Sequence, residues 1–369
     1  TTGEVRDCTA EGNSIGILVE GRAEPTLEGN VCTKNAAAGI SYYYDGSDEK
    51  VGGVARQNEC SENQGYGILV AGNAQPILEK NICKTNDDAG IYYDGGGGEA
   101  RQNECSENQG GGIVAYSSDL TLEKNICKDN SGAGIYYDGG SGKAFQNECS
   151  QNQEYGIRVD DADVALEKNI CKSNAEAGIF YNGGSGEARQ NECLGQQEDD
   201  AQQRYGIHVA GADVTLEKNI CKNNTEAGIY YEDGGGEARQ NECSENQQYG
   251  IYLTGSAQPT LMMNHCMTNT LAGIYYYDSA GGEARQNECS GNEEHGILVA
   301  GDAQPTLETN RCTNNAEAGI YYVDSAGGVA RQNELSGNQY GIYIDQWAEP
   351  TLENNEFHDN SEDVWDWRD

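Results

Sequence analysis

The sequence predicts an all-β fold in which short parallel strands coil into a β-helix, and three observations carry this prediction. The dipeptide Gly-Ile recurs from Gly16 to Gly341 at steps of 22 or 23 residues, with two steps of 28. Within each repeat, apolar and polar residues alternate with period 2 in three short segments. An Asn also recurs at one position of every repeat. A period this short excludes repeats of paired helices, which need about 33 residues or more.

Each repeat supplies three strands, typically Gly-Ile-Leu-Val, Thr-Leu-Glu and Asn-Ile-Cys, and therefore one turn of a parallel β-helix. Fifteen Gly-Ile dipeptides predict about 15 turns of 22–23 residues in a single solenoid over residues 1–360. Turns stacked about 4.8 Å apart would make a rod of roughly 70 Å. We expect insertions near residues 45–53 and 194–205, and a tail or cap at 361–369 that contains Trp365 and Trp367.

The recurrent Asn predicts a ladder at one corner of the coil. Asn tolerates the left-handed conformation that a corner requires, and stacked amides can hydrogen-bond to the turns above and below. The residues in this column are Asn30, Asn58, Asn81, Asn103, Asn125, Asn147, Asn169, Asn191, Asn219, Asn241, Asn264, Asn287, Asn310, Asn333 and Asn355.

Successive turns alternate in kind, so the full repeat is a pair of about 45 residues. Turns with Val three residues after Gly have Leu three residues before Asn, as in Val70 with Leu78. Turns with Tyr at the first position have Ala at the second, as in Tyr93 with Ala100. Pairing a large side chain with a small one keeps the cross-section constant, which predicts that both positions face the core.

Charges alternate from turn to turn two residues before the Asn, as in Glu28, Arg56, Glu79 and Arg101. Opposite charges on neighbouring turns would form a surface ladder worth about 0.2–1 kcal/mol per exposed pair. We interpret this ladder as structural.

Thirteen of the 14 cysteines occupy one column, two residues after the ladder Asn. Leu335 and Phe357 continue this column, which indicates that Cys serves there as a small apolar core residue. Side chains stacked in register point the same way and suit disulfides poorly. We therefore predict a ladder of buried free thiols. Such thiols are most easily kept reduced in the cytoplasm, which favours that location.

Composition excludes several classes of function. The chain has 61 acidic and 23 basic side chains, and its net charge of −38 argues against nucleic-acid binding. No apolar run is long enough to insert into a membrane. The absence of an initiator Met and of a signal-like start predicts a mature or excised segment.

The segment Ala303-Gln304-Pro305-Thr306-Leu307-Glu308-Thr309-Asn310 resembles bacterial β-helix repeat proteins and the β-helix region of F-box substrate adaptors. Over residues 6–360 the chain resembles the right-handed parallel β-helix family, a pectate-lyase-like fold. This resemblance implies the fold but not one activity, because the family spans lyases, hydrolases, epimerases and binding modules. It also allows an extracellular or cell-surface location.

An aromatic and aliphatic stripe is predicted two residues after each Gly. We expect this column to face outward and to bind a partner. Its candidate binding residues are Leu18, Leu69, Tyr92, Tyr136, Phe180, Tyr230, Tyr252, Tyr275, Tyr321 and Tyr343.

Three functions compete for this stripe. The leading hypothesis is a non-enzymatic scaffold, a rigid acidic rod that docks a protein partner or another copy of itself. The second is a carbohydrate-binding module that stacks sugars on the Tyr row. The third is a polysaccharide lyase or epimerase centred on Arg158, Asp160 and His208: Arg158 and His208 are the polar break in the stripe, and Asp160 is the carboxylate near Arg158 in sequence. We expect no cofactor and no dedicated metal site, although acidic Gly-rich corners such as Asp94–Glu99 allow weak Ca²⁺ binding.

Overall fold

The computed structural model describes residues 2–44, 51–195 and 204–368, so most of both predicted insertions lies outside the described residues. The chain divides into two compact units, residues 1–175 and 176–369, and each is a parallel β-solenoid. Together the described residues make about 16 turns, which confirms the predicted fold class. The turn beyond the predicted 15 is the first one, with strands Glu4–Arg6 and Thr9–Glu11.

Each turn contributes to three faces. We call them the Gly-Ile face, the Glu-Arg face and the Cys face, after the residues that recur in their strands. In the first unit the Gly-Ile face contains Ile15–Glu20, Ala38–Tyr44, Tyr66–Gly72, Ile91–Asp94 and Ile157–Asp160. The Glu-Arg face contains Glu4–Arg6, Thr26–Glu28, Val54–Arg56, Ile77–Glu79, Gly97–Arg101 and Asp163–Glu167. The longer strands Ile113–Glu123 and Ile135–Phe145 run through both faces. The Cys face contains Thr9–Glu11, Val31–Thr33, Glu59–Ser61, Ile82–Lys84, Glu104–Ser106, Ile126–Lys128, Glu148–Ser150 and Ile170–Lys172.

The second unit repeats the same three faces. Its Gly-Ile face contains Ala177–Asn182, Tyr205–Ala210, Ala227–Glu232, Tyr249–Thr254, Ala272–Tyr276, His295–Val299, Ala318–Tyr322, Tyr340–Ile344 and Glu362–Asp366. Its Glu-Arg face contains Ser185–Arg189, Asp213–Glu217, Gly235–Arg239, Thr260–Met262, Glu283–Arg285, Thr306–Glu308, Val329–Arg331 and Thr351–Glu353. Its Cys face contains Glu192–Leu194, Ile220–Lys222, Glu242–Ser244, His265–Met267, Glu288–Ser290, Arg311–Thr313, Glu334–Ser336 and Glu356–His358. The segment Glu362–Asp366, expected in a tail or cap, is thus a strand paired with Tyr340–Ile344.

Two Asn ladders run inside the corners on either side of the Cys face. In the predicted ladder the Asn103 side-chain amide donates to Asn125 Oδ1 at 3.0 Å and to the Leu78 carbonyl at 2.9 Å. The second ladder lies five residues further along each turn, where Asn108 donates in the same way to Asn130 Oδ1 at 2.9 Å. Both columns are buried except at their ends, as at Asn355 and Asn360. Each amide therefore satisfies backbone groups of neighbouring turns that water cannot reach.

The proposed reason for the Asn column was wrong in one respect. The left-handed residue at each corner is the one before the Asn, such as Gln102 at φ 56° and Lys124 at φ 54°. The corner turns at that exposed residue, which carries the conformational strain and leaves the Asn side chain directed inward. The same holds at the second ladder, where Glu107 has φ 56°.

The Cys column is buried and aligned in register from turn to turn, as in Cys83 with Cys105. Cys83, Cys105, Cys127 and Cys149 are free thiols with no accessible surface. The predicted volume pairing is also present, because Val70, Leu78, Tyr93 and Ala100 are all fully buried. The Glu-Arg ladder forms as predicted in each unit, for example between Arg56 and Glu28 at 3.0 Å and between Arg239 and Glu217 at 3.1 Å.

Burying the hydroxyl groups of the core tyrosines has a cost in folding free energy that a stability measurement can detect. Tyr137 is fully buried and its hydroxyl has no hydrogen-bond partner. Since burying a hydroxyl without a partner is unfavourable, we expect Tyr137→Phe to raise the free energy of unfolding by about 1 kcal/mol. Urea denaturation would measure the change, with Tyr43→Phe at an exposed position as the control. If Tyr137→Phe lowered the free energy of unfolding and Tyr43→Phe did not, the Tyr137 hydroxyl would have a hydrogen-bond partner.

Candidate functional site

The predicted stripe lies on the Gly-Ile face but is less exposed than expected. Leu18 is 49% exposed, whereas the Tyr residues of the stripe are half-buried and Phe180 is only 9% exposed. The rings cover one another: Tyr252 and Tyr275 stack at 5.0 Å between centroids, and Tyr321 and Tyr343 at 4.6 Å. In the second unit, rings of the stripe therefore pack on one another instead of standing as separate side chains.

A second aromatic column, which the sequence reasoning missed, accounts for this cover. It occupies the position just before Gly in every other turn and consists of Tyr66, Tyr155, Tyr205, Tyr249, His295 and Tyr340. All of these except Tyr155 are seen to pack diagonally on the next turn, as Tyr66 does on Tyr92 at 4.4 Å and Tyr205 on Tyr230 at 4.4 Å. The signal was available, because the intervening turns carry Ala at this position, as at Ala89.

The second column is interrupted once, at Gly111, and a groove of about 350 Å³ opens there in the first unit. No ring fills the space above Gly111, Gly132 and Ala133, so the neighbouring tyrosines form walls around it. The groove is lined by Tyr66, Tyr92, Tyr116 and Tyr136, by the small residues Gly111, Val114, Gly132 and Ala133, and by Asp88, Glu154 and Arg158. It brings together three predicted residues: Tyr92, Tyr136 and Arg158.

One end of the groove is a hydrogen-bonded network. The Arg158 guanidinium donates to Asp160 through Nη2 at 2.7 Å and through Nε at 3.0 Å. The Tyr136 hydroxyl donates to Asp160 at 2.9 Å and lies 3.1 Å from Asp138. Arg158 also lies over the Tyr136 ring, at 5.0 Å from its centroid. Asp160 is 8% exposed, so these donors replace water around its charge.

The electrostatics of the groove keep its phenols protonated. Burial and the neighbouring Asp88 carboxylate raise the pKa of Tyr66 to about 12. Burial and the hydrogen bond to Asp160 raise the pKa of Tyr136 further. The hydrogen bond to Asp160 likewise raises the pKa of Arg158. At neutral pH the groove therefore presents neutral phenol hydroxyls, one guanidinium and several carboxylates.

His208 lies in the second unit, whereas Arg158 and Asp160 lie in the first. The His208 ring packs 4.7 Å from Phe180, 5.1 Å from Tyr205 and 4.7 Å from Tyr230. Its Nε2 is 3.3 Å from the Glu232 carboxylate, and burial lowers the pKa of the imidazole to about 4. The joint catalytic role of Arg158, Asp160 and His208 stays a prediction.

In the three described ranges, no group of three or more His, Cys, Asp or Glu side chains is arranged to hold a metal ion. The same residues contain no helix that is long and apolar enough to cross a membrane.

The chain belongs to the right-handed β-helix family. The family model described as "Right handed beta helix region" matches residues 1–147, 93–197 and 201–362, which confirms the resemblance noted in the sequence. No curated protein matches the chain in sequence.

Two solved structures illustrate the likeness in fold. The periplasmic alginate epimerase AlgG superimposes with a TM-score of 0.52 at 13% identity, covering 93% of this chain and 78% of the epimerase. The Dettilon tailspike protein gp208 gives a TM-score of 0.55 at 13% identity, covering 76% of this chain and 62% of the tailspike. Identities this low establish the shared fold and leave function to the site itself.

Proposed function

We propose that the chain is a carbohydrate-binding protein that holds a segment of polysaccharide in the groove of its first unit. The observation that carries the proposal is the combination of four tyrosine walls with polar groups in one concave site. Tyr rings offer apolar faces to the C–H surfaces of a sugar ring, while their hydroxyls can bond to its hydroxyls. The alginate epimerase that shares this fold is named for its action on a polysaccharide, which agrees with the proposal.

The charge of the groove favours a neutral glycan over an acidic one. Asp88 and Glu154 line it, and the guanidinium of Arg158 is already paired with Asp160. The chain as a whole carries a net charge of −38, which repels polyanions. Carboxylates remain good acceptors for sugar hydroxyl groups.

Binding fits the groove better than acid–base catalysis by Asp160. Both oxygens of that carboxylate accept hydrogen bonds from Arg158, and one also accepts from Tyr136. A general base needs a lone pair directed at the substrate, so this network would have to open first. A lyase or epimerase centred on Arg158, Asp160 and His208 is therefore the weaker proposal.

A scaffold that docks a protein, or a second copy of the chain, is the second candidate. Exposed tryptophans favour it, because Trp347 is 67% exposed and Trp367 is 54% exposed in the second unit. Trp is enriched at the centres of protein interfaces. This candidate uses a different surface from the groove, so the two functions can be tested separately.

The groove is tested by the double substitution Tyr92→Ala and Tyr136→Ala. We expect it to weaken the binding of neutral oligosaccharides by about tenfold or more, because each lost ring removes about 0.5–1.5 kcal/mol of stacking. Isothermal titration calorimetry would measure the affinity. Tyr43→Ala is the matched control, since Tyr43 is 49% exposed and does not line the groove.

The double variant tests the carbohydrate-binding groove, and a Trp347 variant tests the docking scaffold. Unchanged sugar affinity in the folded double variant would contradict the groove proposal. Light scattering of the wild type and of Trp347→Ala then tests docking between copies, which predicts a concentration-dependent assembly that the Trp347 variant loses.

A further inference from the structure

A second groove, of about 580 Å³, follows one corner of the solenoid in the second unit, where the Glu-Arg face meets the Cys face. We call it the corner groove. One wall is formed by residues that take the left-handed conformation before the ladder Asn: Gln240, Met263, Gln286, Thr309 and Gln332. The other wall is formed by the first residues of Cys-face strands: His265, Glu288, Arg311, Glu334 and Glu356. Since each wall spans five turns, the groove is roughly 19 Å long.

The corner groove opens where the repeat loses its lysines. Earlier in the chain the corner residue is Lys at every second turn, as at Lys80 and Lys124. In the groove the equivalent residues are Met263 and Thr309, which are exposed, shorter and uncharged. The backbone does not change, because φ is 54° at Lys80 and 53° at Met263. No lysine follows Lys222 in the sequence, so the whole groove lies in a lysine-free stretch.

The carboxylates of the Cys face lose their lysine partners in the same stretch. In the first unit Glu59 pairs with Lys84 at 3.1 Å, and Glu104 pairs with Lys128 at 3.0 Å. Each of these lysines is the last residue of the Cys-face strand in the following turn. Strands of the groove carry Met or Thr at that position, as at Thr313. An ammonium group is therefore the partner that this column of carboxylates has elsewhere in the chain.

The cations that line the groove do not replace these lysines in full. Glu288 lies 3.2 Å from His265 Nδ1 and 4.0 Å from Arg311 Nη1. The Nε atom of the same Arg311 lies 3.5 Å from Glu334, so one guanidinium is shared by two carboxylates at long distances. With Glu356 the groove holds three carboxylates against one guanidinium and one imidazole. Exposed pairs of this kind contribute little, and the groove keeps a negative potential.

We propose that the corner groove binds a basic, extended segment of a partner polypeptide that carries Lys at every third residue. Glu288 and Glu334 are two turns apart, which separates them by about 9.6 Å. A polyproline II segment has three residues per turn and rises about 3.1 Å per residue, so every third side chain lies on one side at about 9.3 Å. The two spacings match, and each ammonium group would form a charge-assisted hydrogen bond with one carboxylate.

The uncharged wall of the groove suits the rest of such a segment. Gln240, Gln286 and Gln332 also recur at every second turn, and their amides can both donate to and accept from a peptide backbone. Met263 is 36% exposed and offers apolar surface to the methylene chain of a lysine. The net charge of −38 favours a basic partner and opposes docking of a second copy of the chain.

The test is fluorescence anisotropy of a labelled peptide that has Lys at every third position, with Pro and Gln between. We expect it to bind, with an affinity that falls about tenfold in the variant Met263→Lys, Thr309→Lys. This variant restores the lysines of the other turns, so it is expected to fold. The matched control is Gln57→Lys, Gln102→Lys, which makes the same charge change at exposed positions of the corner row in the first unit.

A second variant, Glu288→Gln with Glu334→Gln, tests the carboxylates directly and is expected to weaken binding about tenfold as well. A further peptide has the same composition but adjacent lysines, and spermidine supplies ammonium groups without a peptide backbone. Both are expected to bind more weakly than the spaced peptide, because neither matches the carboxylates and the Gln amides together.

Several results would overturn the proposal: no binding of the spaced peptide, unchanged affinity in both folded groove variants, or equal affinity for the peptide with adjacent lysines or for spermidine. Displacement of the peptide by a neutral oligosaccharide would overturn it too and would assign the groove to sugars. The corner groove and the tyrosine groove lie in different units, so the proposal does not rest on the proposed function. Loss of sugar binding in the Tyr92 and Tyr136 variant bears on the first unit alone.

Discussion

Asn125→Ala is expected to lower the free energy of unfolding by about 3–5 kcal/mol, because it breaks the buried ladder in both directions. The backbone N–H and the side-chain amide of Asn103 both donate to Asn125 Oδ1 at 3.0 Å. The Asn125 amide in turn donates to the Ala100 carbonyl at 2.8 Å and to Asn147 Oδ1 at 3.0 Å. Alanine would deprive the Asn103 backbone N–H and the Ala100 carbonyl of these hydrogen bonds, and water cannot reach the buried corner to replace them.

Urea denaturation with hydrogen exchange at the Asn103 amide would measure this effect. Asn355→Ala is the matched control, because Asn355 is the last Asn of the same ladder and is only half-buried. Its loss should cost much less. Equal destabilisation by the two substitutions would contradict the argument that burial, rather than the side chain itself, gives the ladder its importance.

Gly134→Ala is expected to destabilise the fold by about 2–3 kcal/mol through overpacking. A Cβ atom at this position would lie 2.7 Å from the Gly156 carbonyl oxygen, 2.8 Å from the Asn152 amide nitrogen and 3.0 Å from the Cys149 Cβ. The carbonyl belongs to the backbone of the next turn, so the turns would have to separate. The same close approach to the next turn recurs at Gly90, Gly112 and Gly228, which is a physical reason for Gly at this position of the repeat.

Gly281→Ala is the matched control for this effect. The nearest atom to a Cβ at Gly281 is the Gln304 carbonyl oxygen at 3.6 Å, an ordinary contact distance. We expect its thermal melting temperature to stay close to that of the wild type, while Gly134→Ala melts earlier. Similar melting of both variants would show that the turns can separate at little cost.

The fold could be predicted from the sequence because its determinants repeat in every turn. All of these determinants describe the same cross-section: the period, the Asn and Cys columns, and the alternation of turns that carry Val and Leu with turns that carry Tyr and Ala. The Asn rationale failed in part because φ is a backbone property. The sequence does not indicate whether Asn103 or the preceding Gln102 adopts the left-handed conformation.

The candidate site was harder to predict because it depends on an exception. The tyrosines of the stripe were found as a column, but the groove exists where Gly111 interrupts a second column. The alternation of Tyr with Ala in the second column can be read from the sequence, but the diagonal contact of Tyr66 with Tyr92 joins two different positions of the repeat and is seen only in the structure. The sequence showed only that Arg158 and Asp160 are close along the chain. Their ion pair in the structure occupies the Asp160 carboxylate, which favours binding over the catalytic hypothesis.

The most direct test of the account is retention of the wild-type protein on immobilised neutral polysaccharides, with release by free oligosaccharide. The account predicts that at least one neutral polysaccharide retains the protein and that the Tyr92→Ala, Tyr136→Ala variant passes through unretained. Failure of a folded wild-type protein to bind any neutral polysaccharide in a broad panel would contradict it.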